Sequence, residues 1–166
     1  LDLPPIRLHA STQCHINSLG KAKFLEALGF ETIVLARELG LKEISEISKQ
    51  TNCKIECFVH GALCVSYSGQ CYLSYAVGGR SGNRGACAQP CRMKYSLKDA
   101  NGVSIAPDAH YLSLKDMNRS ASLGEMLNAG VSVFKIEGRL KDSSYVKNIT
   151  AYYRQRLDYE IQNRPN

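Results

Sequence analysis

The first half of the sequence alternates short apolar runs with segments of helical periodicity. Apolar runs at residues 6–10, 32–36 and 54–59 predict strands, and apolar positions at helical spacing over residues 19–28 and 41–48 predict helices between them. Strand, helix, strand, helix, strand with short links is the pattern of a parallel sheet with crossover helices. This alternation indicates an α/β protein.

The second half returns to the same alternation after a predicted hairpin. Residues 95–105 predict an inserted β-hairpin, because Asn101-Gly102 favours the positive φ angles of a tight turn. The remaining predicted elements are strands at residues 111–114 and 131–136 and helices at residues 123–128 and 143–162. We therefore expect five parallel strands in all.

The length of the chain limits the architecture that these strands can form. A closed (β/α)8 barrel usually takes ~250 residues, whereas this chain has 166 and begins with Leu1. We expect residues 1–166 to be a single domain, the C-terminal portion of a partial (β/α) TIM-type barrel whose N-terminal part is absent. An open doubly wound sheet is the alternative, although no Gly-x-Gly-x-x-Gly motif follows a strand.

The composition excludes several classes of protein. Hydrophobic residues make up 44% and charged residues 22%, which is typical of a globular chain and excludes a disordered tail, a collagen-like chain and a coiled coil. No apolar run approaches the ~20 residues of a membrane span, so we expect a cytoplasmic protein with no membrane partner. The net charge of +6 is compatible with RNA or an anionic small molecule as partner, although charge alone favours an ordinary basic face.

A stretch rich in Gly, Ser and Cys at residues 61–92 has no sustained period and predicts a long functional loop inserted into the domain. It holds four of the seven cysteines: Cys64, Cys71, Cys87 and Cys91. The odd total argues against a disulfide framework. Thiolates suit iron–sulfur clusters or zinc, and the loose spacing differs from the paired C-x2-C knuckles of zinc sites. We expect these four residues to ligate an iron–sulfur cluster, with zinc or metal-free buried cysteines as alternatives.

Polar residues follow the predicted strands at their C-terminal ends, where parallel α/β folds bind ligands. They are Ser11, Thr12, Gln13, Arg37, Glu38, His60, Lys115, Asp116, Lys135, Glu137 and Arg139. Lys135 and Glu137 are two apart on a strand, so their side chains point the same way. A structural ion pair is the alternative for any one of these residues. Neither an H-E-x-x-H nor a G-x-S-x-G motif is present, so the sequence has no signature of a zinc protease or a serine hydrolase.

Several segments are similar to those of a known family. A long run stands at residues 56–74: Glu-Cys-Phe-Val-His-Gly-Ala-Leu-Cys-Val-Ser-Tyr-Ser-Gly-Gln-Cys-Tyr-Leu-Ser. It resembles the signature of the collagenase-like peptidases, peptidase family U32. Further similar segments are Ser-Thr-Gln at 11–13, Leu-Ala-Arg-Glu-Leu at 35–39, Asn-Arg-Gly at 83–85, Cys-Ala-Gln-Pro-Cys-Arg at 87–92 and Lys-Ile-Glu-Gly-Arg at 135–139. The resemblance extends over nearly the whole chain.

This resemblance implies a fold, a cofactor and a reaction. The family takes its name from collagenase-like members, but other members take part in the hydroxylation of a pyrimidine in transfer or ribosomal RNA, to which prephenate is tied. Related proteins of quinone synthesis carry [4Fe–4S] clusters held by four cysteines. The chain looks most like the ribosomal-RNA type. The resemblance therefore implies an iron–sulfur enzyme that hydroxylates a pyrimidine in RNA, with prephenate as a candidate small-molecule partner.

The resemblance and the strand ends together suggest a role for each site residue. The cluster ligands would be Cys64, Cys71, Cys87 and Cys91. The catalytic residues would be His60, Glu137 and Lys135. The substrate-binding residues would be Gln13, Arg37, Lys115 and Arg139. The alternative function is a collagenase-like peptidase, for which the sequence supplies no recognisable activated nucleophile. A second alternative is a non-catalytic scaffold half. We expect activity to require the rest of the protein's own barrel.

Overall fold

The structure, a computed structural model, describes residues 6–164. Its strands are β1 (His9–Ala10), β2 (Thr32–Val34), β3 (Lys54–Gly61), β4 (Tyr95–Lys98), β5 (Ser104–Ala109), β6 (Met117–Asn118) and β7 (Val131–Glu137). Its helices are α1 (Leu19–Ala27), α2 (Leu41–Ser48), α3 (Leu73–Gly78), α4 (Leu123–Asn128) and α5 (Ser143–Gln162). Residues 1–5 and 165–166 of the predicted domain lie outside the described residues.

The main sheet is parallel in the order β1-β2-β3-β7, and β6 pairs antiparallel with the last two residues of β3. A helix links each of the steps β1 to β2 and β2 to β3, as the alternation of periods predicted. The α/β class is thus confirmed, and within residues 6–164 the sheet is open and does not close into a barrel. Membership of a larger, partial barrel stays a prediction.

The predicted hairpin is confirmed as the antiparallel pair β4–β5. The carboxylate of Asp99 accepts hydrogen bonds from the backbone N–H groups of Asn101 (2.9 Å) and Val103 (2.8 Å) across its turn. Gly102 takes the positive φ of +82° that this turn requires. One side-chain oxygen, Asp99 Oδ1, therefore stabilises the reversal that the Asn-Gly pair predicted.

The predicted strand at residues 111–114 is wrong. The backbone N–H of Ser113 donates to the carbonyl of His110, which forms a turn, and the side chain of Arg92 donates to Ser113 Oγ (2.8 Å) and to the carbonyl of Leu114. These contacts hold the segment against the cysteine-rich loop instead of the sheet. The sheet gains the short antiparallel strand β6 a few residues later.

The apolar core lies between the helices and one face of the sheet. Ile33, Leu35, Ile55, Val59 and Leu123 are fully buried there. Because successive side chains of a strand point to opposite faces, burial of Ile55 and Val59 against the helices directs the alternate residues of β3 to the other face. That second face carries the polar and charged residues that form the site. No helix within the described part of the chain is both long and apolar enough to cross a membrane.

Candidate functional site

A cavity of about 290 Å³ lies at the C-terminal ends of β2, β3 and β7, between these strand ends and the cysteine-rich loop. It is lined by all predicted site residues except His60 and Lys115: Gln13, Arg37, Cys64, Cys71, Cys87, Cys91, Lys135, Glu137 and Arg139. The strand-end rule and the cysteine pattern, which are independent signals in the sequence, therefore lead to the same place in the fold.

The first part of the cysteine-rich loop is held on the ends of β1 and β2. Ser68 is fully buried, and its Oγ accepts hydrogen bonds from the backbone N–H (3.1 Å) and the Nε (3.2 Å) of Arg37. The backbone N–H of Ser68 donates to the Glu38 carboxylate (2.5 Å). Gly69, with φ of +69°, lies so close to Gln13 that a Cβ would stand 2.3 Å from the Gln13 carbonyl oxygen. Only glycine allows this approach, which positions the loop that carries Cys64 and Cys71.

Hydrogen bonds within the loop bring its second part to the same cavity. The Arg92 guanidinium donates to the carbonyl of Leu63 (2.7 Å) in addition to the 113–114 turn. The backbone N–H of Cys71 donates to Asn83 Oδ1 (2.8 Å), and that of Ala88 donates to the buried Ser74 Oγ (2.9 Å). The two halves of the loop, each with two cysteines, are thus fastened to one another.

The four cavity cysteines are free thiols, and each is half-buried. Burial raises the pKa of the Cys91 thiol, the nearby Cys64, Cys87 and Cys71 raise it further, and Arg92 opposes the increase. The thiols are therefore close enough to influence one another electrostatically. As placed in residues 6–164, however, no group of three or more His, Cys, Asp or Glu side chains could hold a metal ion. All four cysteines nevertheless line the same cavity.

Lys135 pairs with Glu56 and not with Glu137, which lies two residues further along the same strand. Lys135 Nζ lies 2.9 Å from Glu56 Oε1, and His9 Nδ1 lies 3.7 Å from Oε2 of this buried carboxylate. Glu137 instead accepts a hydrogen bond from the backbone N–H of Arg139 (2.7 Å) at the turn after β7. Sequence reasoning missed Glu56, although a charged residue inside the apolar strand 54–59 is a signal that could have identified it.

Two cations lie near one aromatic ring, Phe58, which also lines the cavity. Lys135 Nζ lies 5.4 Å and Arg37 Cζ 5.8 Å from the centre of the Phe58 ring, within the range of cation–π attraction. Among the described residues Arg37 forms no ion pair, whereas Lys135 is partly neutralised by Glu56. This end of the cavity is therefore positively charged and suits a carboxylate or a phosphate.

His60 and Lys115 lie away from the cavity lining. A register shift in the pairing of β3 with β7 falls between Phe58 and His60, and a shift of this kind changes the face to which a side chain points. The His60 ring packs against Tyr145 and Tyr153, with Nδ1 3.3 Å from the Tyr153 hydroxyl, and burial lowers its pKa. Lys115 is exposed in the loop before β6.

Comparison with known proteins identifies the family of the chain. The profile of peptidase family U32 matches residues 2–166. The chain is 59% identical over 164 residues to the 23S rRNA 5-hydroxycytidine C2501 synthase of Escherichia coli K12. The aligned region covers 99% of this chain and 25% of that protein. It is 36% identical over 161 residues to the tRNA hydroxylation protein P1 of Bacillus subtilis, covering 93% of this chain and 38% of that protein.

A collagenase of Porphyromonas gingivalis W83 is 36% identical over 166 residues, covering 92% of this chain and 40% of that protein. No solved structure matches the chain. The chain thus spans between a quarter and two fifths of the length of these three relatives. Because the family profile extends over almost every residue and the segments that resemble it line one cavity, this chain belongs to peptidase family U32.

Proposed function

We propose that this chain is the cluster-binding part of an enzyme that hydroxylates a pyrimidine in ribosomal or transfer RNA. The observation that carries the proposal is that four free cysteines and two cations, Arg37 and Lys135, line a single cavity. The names of two relatives, an rRNA 5-hydroxycytidine synthase and a tRNA hydroxylation protein, supply the substrate class.

The cavity suits a [4Fe–4S] cluster held by Cys64, Cys71, Cys87 and Cys91. Its volume of about 290 Å³ is far larger than the ~10–15 Å³ that one water molecule needs. The spacing of the four cysteines, which is looser than the paired C-x2-C knuckles of zinc sites, favours such a cluster over zinc, the alternative metal for this set. When bound, such a cluster supplies one-electron transfer. Because cysteines bind such a cluster as thiolates, cluster binding would release the protons of these thiols.

The chain's own residues bind and orient the other reactants. Arg37, whose Nε donates a hydrogen bond to Ser68, lines the cavity, where with Arg139 it would bind an anionic group. A small molecule with carboxylates, such as prephenate, fits this end of the cavity. Glu137 is the proton-transfer candidate that lines the cavity. His60, packed against α5, has a structural role in this proposal, and Lys115 has none in the cavity.

The open sheet supports the proposal of a partial barrel. Its parallel strands bring their polar C-terminal ends to one edge, as barrel enzymes do. The relatives are much longer than this chain, so the remaining strands and part of the active site would come from the rest of such a protein. A cytoplasmic location follows from RNA as substrate within the same proposal.

A peptidase, as the collagenase relative suggests, has less support. Within residues 6–164 no histidine forms a hydrogen bond with a cysteine or serine side chain, so the described residues contain no activated nucleophile of the usual kind. A purely non-catalytic scaffold would not need four half-buried free thiols beside an anion-binding end.

Anaerobic purification of the complete protein tests the proposal. We expect about four irons and four sulfides per chain, with serine at any one of Cys64, Cys71, Cys87 or Cys91 abolishing the cluster absorbance. Cys53→Ser is the matched control, since Cys53 is buried beside Phe30 outside the cavity. Hydroxylated pyrimidine in the RNA of cells that carry each variant is measured by mass spectrometry. Equal loss of iron in Cys53→Ser and Cys71→Ser would refute the ligand assignment.

A further inference from the structure

The positive charge of the chain is concentrated in one segment. Residues 57–98 contain no Asp or Glu but five Lys and Arg residues: Arg80, Arg84, Arg92, Lys94 and Lys98. The whole chain has 21 Lys and Arg and 15 Asp and Glu residues. Without the five cations of this segment, 16 cations and 15 carboxylates remain, so the rest of the chain is nearly neutral. Almost all of the net charge of +6 therefore comes from the segment that includes the cysteine-rich loop.

These cations are not neutralised by neighbouring carboxylates. Arg80, Arg84, Lys94 and Lys98 are exposed, and none of the seven ion pairs among the described residues uses a cation of residues 57–98. Arg92 is half-buried and occupied by hydrogen bonds within the loop. The exposed cations of residues 57–98, of which Arg80 and Arg84 lie in the cysteine-rich loop, are thus not compensated by ion pairs and attract polyanions.

Three aromatic side chains are exposed on the same loop. Tyr67, Tyr72 and Tyr75 are 67%, 70% and 62% exposed, whereas Tyr153 of the core is 2% exposed. Tyr72 directly precedes α3 and Tyr75 is three residues later, so their side chains lie on the same side of this helical turn. Exposed aromatic rings among unpaired cations are how proteins hold single-stranded nucleic acid, with bases stacked on the rings and phosphates beside the cations.

Part of this loop also lines the cavity. Tyr67 lines the cavity together with Cys64 and Cys71, and Arg84 follows Asn83, another lining residue. An enzyme that modifies a base must take that base out of its stack and into the site. A strand held along the loop would deliver one unstacked base past Tyr67 to the cavity mouth.

We infer that Tyr67, Tyr72 and Tyr75, with Arg80 and Arg84, form a binding surface for unpaired RNA at the cavity mouth. The inference rests on the proposed function, because it identifies how the RNA substrate of that same site is held. Duplex RNA would not bind in this way, since its bases are already stacked on one another and offer no free face to the rings.

The test measures binding of a labelled 12-nucleotide unpaired RNA to the complete protein by fluorescence anisotropy. The double variant Tyr72→Ala/Tyr75→Ala should weaken binding about 10-fold or more, because each stacked base is lost as a contact. Tyr72→Phe/Tyr75→Phe keeps the rings and should bind as the unmodified protein does. Tyr159→Ala, which removes an exposed tyrosine of α5, is the matched control and should have no effect.

A second measurement isolates the phosphate contacts. Arg84→Gln should reduce the slope of log Kd against log salt concentration by about 0.7, the value for one phosphate contact to a single strand. Unchanged binding by the double alanine variant, or an equal loss in the double phenylalanine variant, overturns the stacking surface. If the unmodified protein does not bind RNA and the alanine variant has a lowered Tm, the stacking surface is also overturned. In that case the three tyrosines are covered by another part of the complete protein.

The two proposals fail separately. Normal binding and normal RNA hydroxylation by the alanine variant would refute the surface and leave the proposed function intact. Ring-dependent binding by a protein that holds no iron and hydroxylates no RNA would support the surface and refute the proposed function.

Discussion

The Lys135 ammonium lies 2.9 Å from the carboxylate of Glu56, a buried residue of the neighbouring strand. A buried carboxylate is stable only when it is paired, and Lys135, with 43% of its side chain exposed, is its nearer partner, while His9 stands at 3.7 Å. The pair holds Lys135 over Phe58 beside Arg37. Glu56 is therefore a positioning residue for the charged end of the cavity.

We expect Glu56→Gln to destabilise the complete protein by about 1–3 kcal/mol, because the amide loses a charge-assisted bond while the site stays buried. Denaturant unfolding gives the value. Glu31→Gln is the control: Glu31 pairs with Arg7 at the surface, and exposed pairs contribute only ~0–1 kcal/mol. Equal effects of the two substitutions would contradict the structural role of Glu56.

The Arg37 side chain forms a hydrogen bond with Ser68 and no ion pair among the described residues, so its charge is available for a ligand. Arg37→Lys should leave the iron content of the purified protein unchanged but lose about 1–3 kcal/mol of binding to an anionic reactant, because lysine cannot form two parallel hydrogen bonds. The hydroxylated fraction of RNA in cells, measured by mass spectrometry beside the iron content, checks this. A lowered Tm with unchanged hydroxylation would instead assign Arg37 a purely structural role.

Alanine substitutions at Gly69 and Gly85 form a matched pair that tests how the cysteine-rich loop is positioned. Both have positive φ, at +69° and +80°, but an added Cβ would collide with Gln13 at Gly69 and would meet nothing within 4 Å at Gly85. Gly85→Ala should therefore cost only the ~1–2 kcal/mol of an alanine in the left-handed region. Gly69→Ala should in addition displace the loop and reduce the iron content. Equal iron in the two purified variants would show that the Gln13 contact does not position the cysteines.

Glu26 gives the fold a defined sensitivity to acid. Hydrogen bonds from the backbone of Asn52 and from the side chains of Lys23, Thr51 and Asn52 lower the pKa of its carboxyl from 4.5 to about 2. Because the folded pKa is the lower one, the stabilisation is fully present above pH 4.5 and is lost as the pH falls through 4.5 towards 2.

We expect Glu26→Gln to flatten the pH dependence of the unfolding free energy, relative to the unmodified protein, over roughly pH 5 to pH 2, the range in which carboxyl groups titrate. Denaturant unfolding at several pH values in this range measures the effect. Glu46→Gln, at an exposed position of α2, is the control and should keep the original slope. An unaltered acid slope in Glu26→Gln would show that these hydrogen bonds do not stabilise the folded state.

Local periodicity determined most secondary structure from sequence alone. The predicted helices at 41–48, 123–128 and 143–162 coincide with α2, α4 and α5, because an amphipathic helix is specified by neighbours three and four residues apart. The four loop cysteines and the strand-end residues Gln13, Arg37, Lys135, Glu137 and Arg139 were also found in the sequence, since the ends of parallel strands necessarily meet at one edge.

Tertiary structure alone decided which of these side chains meet. The pairing of Lys135 with Glu56 depends on the register of β7 against β3, and the removal of His60 from the cavity depends on a shift in that register. The segment 111–114 has strand-like residues but hydrogen bonds to Arg92 of the loop. Strand register, bulges and loop docking are set by contacts between residues that are distant in the chain. Such contacts produce no periodic pattern in the local sequence, so the sequence alone did not predict them.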